Sequence, residues 1–330
     1  MTASSGKFRK KRTSLRKIAE EILRGQKFLI STHQNPEGDA VGSVLALGLA
    51  LEGMGKEVKI LLQDPTPDLL KFLPGAEKII HQAPQNERFD GTFALDCGDR
   101  ERLGKEFAKV QEIGKFINID HHISNTHFGE MNFVNPAASS AAEIIFDLLR
   151  AIPVALNQAV AENIYVGVLT DTGSFHYSST TSKTFAVARA CLLAGVEPWK
   201  MAQRVYETQS LPRLRLLQRV LGTLEVLEQG RVSTILVSRQ MLEEAGANPA
   251  HAEDFINYPR SLEGVEVAVL FREIGPDQYR VSLRSRESVD VARIAGEFQG
   301  GGHAKAAGCT VRGNLGEVRD KVLGLVRTAF

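Results

Sequence analysis

The chain has 330 residues, enough for two domains at roughly 100–200 residues each. Its hydrophobic content of 43% and charged content of 24% are ordinary for a soluble globular protein. The formal net charge of +1 excludes a strong overall attraction to polyanions, so any affinity for nucleic acids must be local.

Cysteine usage and the lengths of the apolar stretches indicate the compartment. Cys97, Cys191 and Cys309 form an odd and widely spaced set, which argues against a disulfide framework and for a reducing environment. The longest apolar stretches, such as residues 41–51, are too short and too rich in glycine to span a bilayer. The basic start of the chain is not followed by the apolar core of a signal peptide. We therefore expect a cytoplasmic protein.

Strand-like and helix-like runs alternate through the first 170 or so residues. This order predicts a mainly parallel sheet with helices on both faces. Ser140-Ala-Ala-Glu143 predicts a capping box, and Asn157 is expected to cap the helix that follows it. The predicted strands are 28–32, 57–62, 92–95 and 116–119, and the predicted helices are 14–25, 40–54, 101–112 and 144–149.

The pattern changes in the second half of the chain. Residues 198–227 predict one or two helices that connect two domains, and strands, a short helix at 290–296 and a glycine-rich loop at 300–308 predict an α+β domain. The three predicted strands are 232–237, 265–271 and 279–284. The predicted division is a basic, disordered tail (1–13), an α/β domain (14–195), a helical connector (196–225) and a smaller α+β domain (226–330).

Acids and imidazoles follow several of the predicted elements where those elements end. The apolar run of residues 116–119 leads directly into Asp120, His121 and His122. Ligands of open α/β sheets bind beyond the carboxyl ends of the strands, so these side chains predict a site. The acids and imidazoles at the ends of predicted elements are His33, Glu37, Asp39, Asp96, Asp120, His121, His122 and Asp171.

Their chemistry predicts a metal site. Neutral imidazole and carboxylate oxygen suit divalent metals such as Mn²⁺. Four acids in one crevice would repel each other unless cations lie among them, and two divalent ions would balance four carboxylates. Taken singly, Asp171 also fits a turn and Asp39 also fits a cap for the helix that follows it. The joint pattern favours a two-metal site with ions roughly 3.5–4 Å apart.

Five motifs give the chain a family resemblance that extends from about residue 14 to the end. They are His33-x-Asn-Pro-Glu-Gly-Asp-Ala40, Asp96-Cys-Gly-Asp99, Asp120-His-His122, Leu169-Thr-Asp-Thr-Gly173 and Gly300-Gly-Gly-His-Ala-Lys-Ala-Ala-Gly308. Together they resemble the DHH/DHHA1 phosphoesterase superfamily, and within it the bacterial oligoribonuclease (nanoRNase)/pAp phosphatase proteins. The resemblance implies a DHH domain followed by a DHHA1 substrate-binding domain.

The resemblance also implies the metal ligands and the catalytic residues. Two Mn²⁺ ions are expected, with Mg²⁺ or Co²⁺ as substitutes. A metal-held water or hydroxide would attack, His122 would contact the scissile phosphate, and Asp120 would orient the imidazoles. The implied ligands are His33, Glu37 and Asp96 for one ion and Asp39, Asp96, His121 and Asp171 for the other, with Asp96 bridging.

Glu37 departs from the family pattern, which usually has Asp at this position. The extra methylene moves the carboxylate by roughly 1.5 Å, the length of one C–C bond. We expect a functional site with altered metal affinity.

The second domain is expected to bind the far phosphate or the nucleotide. Glycines can present backbone N–H groups to a phosphate, and an arginine can bind it through two parallel hydrogen bonds. For these residues a flexible turn and a solvated strand end are the alternatives. The expected substrate-binding residues are Arg284, Ser285, Gly301, Gly302, His303 and Lys305.

The predicted function is hydrolysis of short oligoribonucleotides to mononucleotides and of 3′,5′-bisphosphate nucleosides such as pAp to AMP. Two alternatives stay open. One is a phosphodiesterase for cyclic dinucleotides or linear dinucleotides (pApA, pGpG), and the other is a nucleotide- or RNA-binding protein whose metal site is impaired by Glu37. The expected partners are short RNA or nucleotides, without a membrane or a stable complex with long nucleic acids. A homodimer is compatible with the sequence.

Overall fold

Each half of the chain is built around a six-stranded sheet of its own. The computed structural model describes residues 14–330, except for the side chain of His303, so the predicted tail of residues 1–13 lies outside the described residues. The chain divides into two units, Met1–Thr208 and Gln209–Phe330. The domain limits expected from the sequence stay a prediction.

The first sheet is parallel in every pairing of its described strands. Its strand order is β3-β2-β1-β4-β5-β6, so the order reverses between β1 and β4. A reversal of this kind opens a crevice at the carboxyl ends of the two strands, where ligands bind. The strands are β1 (Lys27–Ser31), β2 (Glu57–Leu61), β3 (Ile79–Ile80), β4 (Gly91–Leu95), β5 (Lys115–Asp120) and β6 (Met131–Val134).

Helices of the first unit pack closely on one another next to this crevice. The helices are α1 (Leu15–Arg24), α2 (Gly38–Gly53), α3 (Gly104–Ala108), α4 (Ala141–Leu149), α5 (Gln158–Asp171), α6 (Ser182–Leu193) and α7 (Pro198–Tyr206). A Cβ at Gly42 of α2 would lie 2.5 Å from the carbonyl oxygen of Asn163 in α5. A Cβ at Gly167 of α5 would lie 2.6 Å from the Cβ of Ala142 in α4. The small residues therefore allow α2, α4 and α5 to approach each other, which fixes the side chains at their ends.

The second sheet is mixed and carries helices and an apolar cluster on each face. Its order is β11-β12-β10-β9-β8-β7; β8 and β9 are parallel, and the other pairs are antiparallel. The strands are β7 (Glu225–Leu227), β8 (Val232–Val237), β9 (Val267–Gly275), β10 (Gln278–Ser285), β11 (Gly301–His303) and β12 (Ala306–Arg312). The helices are α8 (Leu211–Leu221), α9 (Arg239–Ala245), α10 (Asn257–Arg260), α11 (Val291–Gly296) and α12 (Leu315–Thr328). The predicted fold class, α/β with a smaller α+β domain, is confirmed.

The predicted glycine-rich loop is wrong in its structure, because the segment forms the antiparallel hairpin of β11 and β12. Gly302 has a φ of +143°, and a Cβ there would lie 2.4 Å from the carbonyl oxygen of Ala306. The backbone N–H of Gly300 donates to the carbonyl oxygen of Ala295 at 2.9 Å. A Cβ at Gly300 would lie 2.3 Å from the backbone oxygen of Gly308. Gly300 and Gly302 therefore allow the two strands to approach each other closely.

Three smaller expectations also differ from the structure. The predicted helix at 101–112 is a 3₁₀ turn, Arg100–Leu103, followed by the short α3, because Gly104 interrupts it with a φ of +88°. The segment 198–227 ends in strand β7 rather than in a helix. Of the predicted capping box, only the bond from the N–H of Glu143 to Ser140 Oγ is present, because the Glu143 carboxylate accepts from Ser139 Oγ at 2.7 Å instead.

Two expectations about the whole chain can be compared with the described residues. The three cysteines are all free and buried. Among residues 14–330, no helix combines the length and the apolar character that a membrane span requires.

Candidate metal centre

His33 enters the crevice from the loop after β1. Its ring Nδ1 lies 2.7 Å from the carbonyl oxygen of Gln34. A carbonyl can only accept, so Nδ1 carries the proton and donates. The other nitrogen, Nε2, is then left to face Asp96, whose Oδ2 is 3.7 Å away. The local backbone thus selects the nitrogen that His33 presents to the site.

Asp96 lies at the centre of the cluster, directly after β4. It adopts a φ of +50°, a left-handed conformation that is uncommon for a residue with a side chain. Its Oδ1 is buried and has no hydrogen-bond partner. His121 Nε2 is 3.5 Å and His122 Nδ1 3.6 Å from this oxygen. A buried carboxylate oxygen left without a donor is costly unless a cation or a water binds it.

The carboxyl end of β5 carries Asp120, His121 and His122. The fully buried Asp120 turns the chain here, because its Oδ1 accepts from the backbone N–H groups of His121 at 2.7 Å and His122 at 3.2 Å. The same oxygen accepts from His122 Nδ1 at 2.7 Å. Both rings lie near Asp96 Oδ1, but only His122 also forms a hydrogen bond with Asp120 through its ring.

Two buried asparagines, Asn118 and Asn125, hold Asp120 in place, and neither was predicted from the sequence. Asn125 Nδ2 donates to Asp120 Oδ2 at 2.5 Å and to Asn118 Oδ1 at 2.9 Å. Asn118 Nδ2 in turn donates to the carbonyl oxygens of Ala94 and Cys97 at 3.1 and 3.0 Å. The available signal was Asn118 itself, an amide inside the apolar run Phe-Ile-Asn-Ile, because a buried amide needs partners.

Asp39 does not cap the helix in which it lies. From the first turn of α2, its carboxylate accepts from the backbone N–H groups of Ala141 at 2.6 Å and Ala142 at 2.9 Å, at the start of α4. Ser43 Oγ donates to the same carboxylate at 3.2 Å. Asp39 Oδ2 also lies 4.0 Å from His121 Nε2. The alternative that Asp39 caps the following helix is therefore wrong, and α4 anchors its carboxylate instead.

Asp171 completes the cluster from the last residue of α5. Its Oδ2 lies 3.4 Å from His121 Nε2. Two overlapping groups result, each with ligand atoms within 4.8 Å of one another. One is Asp39, His121 and Asp171, and the other is Asp96, Asp120, His121 and His122.

The electrostatics of the cluster are those of a cation site. Burial and the nearby charges of Asp96 and Asp171 raise the pKa of Asp39 well above its usual range. Burial also raises the pKa of Asp171 to about 6. Burial alone would lower the pKa of His121, but the contact with Asp96 and the charges of all three acids outweigh it and raise this pKa to about 10. In the metal-free protein, protons therefore balance the excess negative charge.

Glu37 is at the rim of this cluster rather than inside it. It is exposed, and it occupies the N-cap position of α2 without a side-chain capping hydrogen bond. Its charge is nevertheless close enough to raise the pKa of Asp171. The structure therefore gathers seven of the eight predicted acids and imidazoles tightly, with Glu37 beside them.

The donor set fits a divalent cation. Carboxylate oxygens and neutral imidazole nitrogens converge, and the unpartnered Asp96 Oδ1 gives a cation a buried oxygen to bind. The acids outnumber the positive groups, and none of the described cysteines lies in either ligand group.

The predicted substrate residues of the second unit meet around the hairpin of β11 and β12. Ser285 is buried, and its Oγ donates to the carbonyl oxygen of Val289 at 2.6 Å. Lys305 Nζ donates to the carbonyl oxygens of Glu287 and, at 3.4 Å, Val289. Both side chains thus brace the segment after β10. Gly301 is exposed, and a Cβ there would meet nothing within 4 Å.

A parallel sheet with buried acids and imidazoles at its carboxyl ends, together with relatives named as oligoribonuclease and phosphatase, defines the class of this protein, a metal-dependent hydrolase. The chain belongs to the DHH family: residues 27–168 match the N-terminal domain of that family, and residues 232–328 match the DHHA1 domain. The family prediction and the prediction of a metal-dependent hydrolase are confirmed.

Relatives with known names span almost the whole chain. The bifunctional oligoribonuclease and PAP phosphatase NrnA of Thermus thermophilus is 34% identical over 316 residues, which cover 94% of this chain and 93% of that protein. The protein of the same name from Bacillus subtilis is 27% identical over 288 residues, 86% of this chain and 88% of that protein. The crystal structure of an exopolyphosphatase-related protein from Bacteroides fragilis is similar with a TM-score of 0.87 and 28% identity, covering 96% of this chain and 94% of that one.

Proposed function

We propose that this protein hydrolyses short oligoribonucleotides to mononucleotides and 3′,5′-bisphosphate nucleosides such as pAp to AMP, with two Mn²⁺ ions. The observation that carries the reaction type is the unpartnered Asp96 Oδ1 in a buried cluster of acids and imidazoles. The substrate class is supported by the relatives, since two of them are named oligoribonuclease and PAP phosphatase.

The proposed ligands divide the cluster between two ions, with Asp96 shared. Bound divalent ions would polarise the phosphate and lower the pKa of a bound water, so that hydroxide forms near neutral pH. The hydrogen bond from His33 Nδ1 to Gln34 leaves Nε2 for the metal. The proposed sets are His33, Glu37 and Asp96 for one ion and Asp39, Asp96, His121 and Asp171 for the other.

His122 is the proposed contact to the scissile phosphate. Its Nδ1–H donates to Asp120, so Nε2 is the ring nitrogen that remains for a phosphate oxygen. The hydrogen bond with Asp120 also raises the pKa of His122, which favours a protonated ring able to donate to an anion. Asp120 is therefore a positioning residue for His122 in this proposal, and Asn125 holds it in place.

The second unit is proposed to hold the far phosphate or the nucleotide. Arg284, Gly301, Gly302 and His303 would contact the ligand, whereas Ser285 and Lys305 would act by bracing the backbone around them. The open space at Gly301 supports this role, because no neighbour requires a glycine there. A cytoplasmic location and a homodimer stay predictions.

The proposal can be tested by metal titration with two substrates. The metal-free protein is titrated with Mn²⁺, Mg²⁺ or Co²⁺ while hydrolysis of an RNA dinucleotide and of pAp is followed. We expect Mn²⁺ to restore both activities. Asp171→Ala should abolish turnover, and Asp68→Asn is a suitable control because Asp68 is exposed and forms a surface ion pair with Lys71.

Three outcomes would contradict the proposal. Nucleotide binding without hydrolysis of either substrate at any metal concentration would favour the binding-protein alternative. Full turnover by Asp171→Ala would refute the ligand assignment. Hydrolysis of cyclic dinucleotides in preference to both substrates would favour the other phosphodiesterase alternative.

A further inference from the structure

The sheet of the second unit presents four arginines on one face. Side chains alternate along a strand, and Tyr279, Val281 and Leu283 of β10 pack into the apolar cluster that also contains residues of α11 and α12. The even-numbered residues of β10 therefore lie on the opposite face. By the same alternation and the strand register, this arginine face contains Arg272, Arg280, Arg284 and Arg312, together with Ser282, Gly308 and Thr310.

Two of these arginines form a pair that does not stabilise the sheet. Arg272 and Arg280 are direct cross-strand partners, and like charges at such positions repel. Burial and the charge of Arg280 lower the pKa of Arg272, against the opposing charge of Glu253. Arg272 also donates to the carbonyl oxygen of Pro249 at 3.1 Å, whereas Arg280 is exposed. A local conflict of this kind is typical of functional surfaces, and a bound anion would relieve it.

The face has the shape and the charge to take a single strand of nucleic acid. Its positions on the described strands β10 and β12 include no Asp or Glu. The side chains between the arginines are small: Ser282 faces Gly308, and Gly308 faces Gly301, above which there is open space. On β10 and β12, small side chains therefore connect the arginines with Gly301 and Arg284, which are proposed substrate residues. Beside them on the same face, Ala268 and Leu270 of β9 are covered by α8 and α9.

We propose that the arginine face is an extended subsite that binds internucleotide phosphates of RNA beyond the nucleotide held at Arg284. Arg284 and Arg280 are four residues apart on β10, about 13 Å at 3.2–3.4 Å per residue. This distance corresponds to about four stacked nucleotides at roughly 3.4 Å each, and to fewer in an extended strand. The inference rests on the proposed function, because RNA is its ligand. Oligomers of about three to five nucleotides use the face, whereas dinucleotides and pAp do not reach it.

Binding of RNA of two lengths tests the proposal. The probes are uncleavable phosphorothioate RNA, a dimer and a pentamer, added to the full chain in Mn²⁺. Arg280→Ala should weaken pentamer binding about 5- to 10-fold and dimer binding less than about 2-fold, and it should reduce the salt slope for the pentamer by about 0.7. Lys321→Ala on α12 is the charge control, because α12 packs on the other face of the sheet.

Loss of the extended subsite can be distinguished from misfolding by an unfolding measurement and a second variant. Arg280→Ala removes a repulsion, so its unfolding midpoint should stay equal or rise, and Arg280→Lys should retain most of the pentamer affinity. Equal affinity of the wild type for both lengths, or an equal loss for both lengths in Arg280→Ala, would overturn the extended subsite. Either result leaves the proposed function standing if the wild type hydrolyses the dimer and pAp. Failure of the wild type to hydrolyse any RNA overturns the proposed function instead.

Discussion

The ring Nδ1–H of His122 donates to Asp120 Oδ1 at 2.7 Å, and this bond fixes which nitrogen of His122 carries the proton. Asp120 is itself held, because Asn125 donates to its other oxygen at 2.5 Å. The two histidines of the Asp120-His-His122 motif therefore differ in their surroundings. His121 Nε2 faces three acids, whereas His122 is turned by a buried carboxylate that belongs to its own strand end.

Asp120→Asn should lower kcat by about 10- to 100-fold, as is usual when the acid that orients an active-site imidazole is replaced. The amide keeps the shape of the carboxylate but accepts a weaker hydrogen bond from His122. The affinity for Mn²⁺ should change much less, since Asp120 is not a proposed ligand. Steady-state kinetics and a Mn²⁺ titration measure the two effects, and an unchanged kcat would show that the orientation of His122 is irrelevant.

Binding of Mn²⁺ should release protons near neutral pH. The pKa of His121 is raised to about 10 in the metal-free protein by Asp39, Asp96 and Asp171, so its proton must leave when a metal binds. Calorimetric titrations at pH 7 in buffers of different ionisation enthalpy should detect about one released proton from this residue. The apparent affinity should rise with pH. Binding enthalpies that do not depend on the buffer would contradict the assignment of His121 as a ligand.

The same pKa shifts predict how stability depends on pH. The folded-state pKa of His121 lies above its ordinary value of 6.5, so its stabilising effect on the metal-free fold is complete below about pH 6.5 and is lost toward pH 10. The pKa of Asp171 is raised from 3.8 to about 6, so the stabilising effect of its protonated form is lost as the pH rises through that range. Mn²⁺ should therefore raise the unfolding midpoint more at pH 8 than at pH 6. Thermal unfolding at both pH values measures this, and an equal increase would contradict it.

Glu37→Asp should preserve or raise Mn²⁺-dependent activity. Glu37 is exposed at the N-terminus of α2, where a shorter acid can also accept from the first backbone N–H groups of the helix. The substitution should mainly change the Mn²⁺ concentration at half-maximal activity. A large loss of kcat would show instead that the site is built for the longer side chain.

Two neighbouring glycines should respond differently to alanine. Gly302→Ala places a Cβ 2.4 Å from the carbonyl oxygen of Ala306 at a φ of +143°, so it should destabilise the protein by about 1–3 kcal/mol. Gly301→Ala enters open space and should change stability by less than about 0.5 kcal/mol while raising KM. Urea unfolding and steady-state kinetics separate the two. An unchanged KM for Gly301→Ala would remove it from the proposed substrate site.

Most of the fold could be predicted because the first unit repeats one physical pattern. Apolar runs such as 116–119 end in polar side chains, and the structure places β1, β4 and β5 side by side with these ends together. The prediction of a loop at residues 300–308 was wrong because glycine permits both turns and close strand pairing. Only the register of Gly302 with Ala307 distinguishes them, and that contact lies in the tertiary structure.

The supporting residues of the candidate site were harder to predict than the cluster itself. The anchoring of Asp39 by Ala141 and Ala142 joins residues more than 100 positions apart, so no local pattern carries it. Asn125 follows His122 closely, yet its bond to Asp120 depends on a turn that the sequence does not specify. The arginine pair of β9 and β10 likewise appears only when the strand register is known.

A side-by-side determination of kcat/KM in Mn²⁺ distinguishes the proposed substrates from cyclic dinucleotides. The substrates are RNA dimers to pentamers, pAp and cyclic dinucleotides, with the Asp171→Ala protein as the blank. We expect turnover of the short RNAs and pAp well above that of the cyclic dinucleotides, and none above background for the blank. Turnover of cyclic dinucleotides alone, or equal rates in the blank, would contradict it.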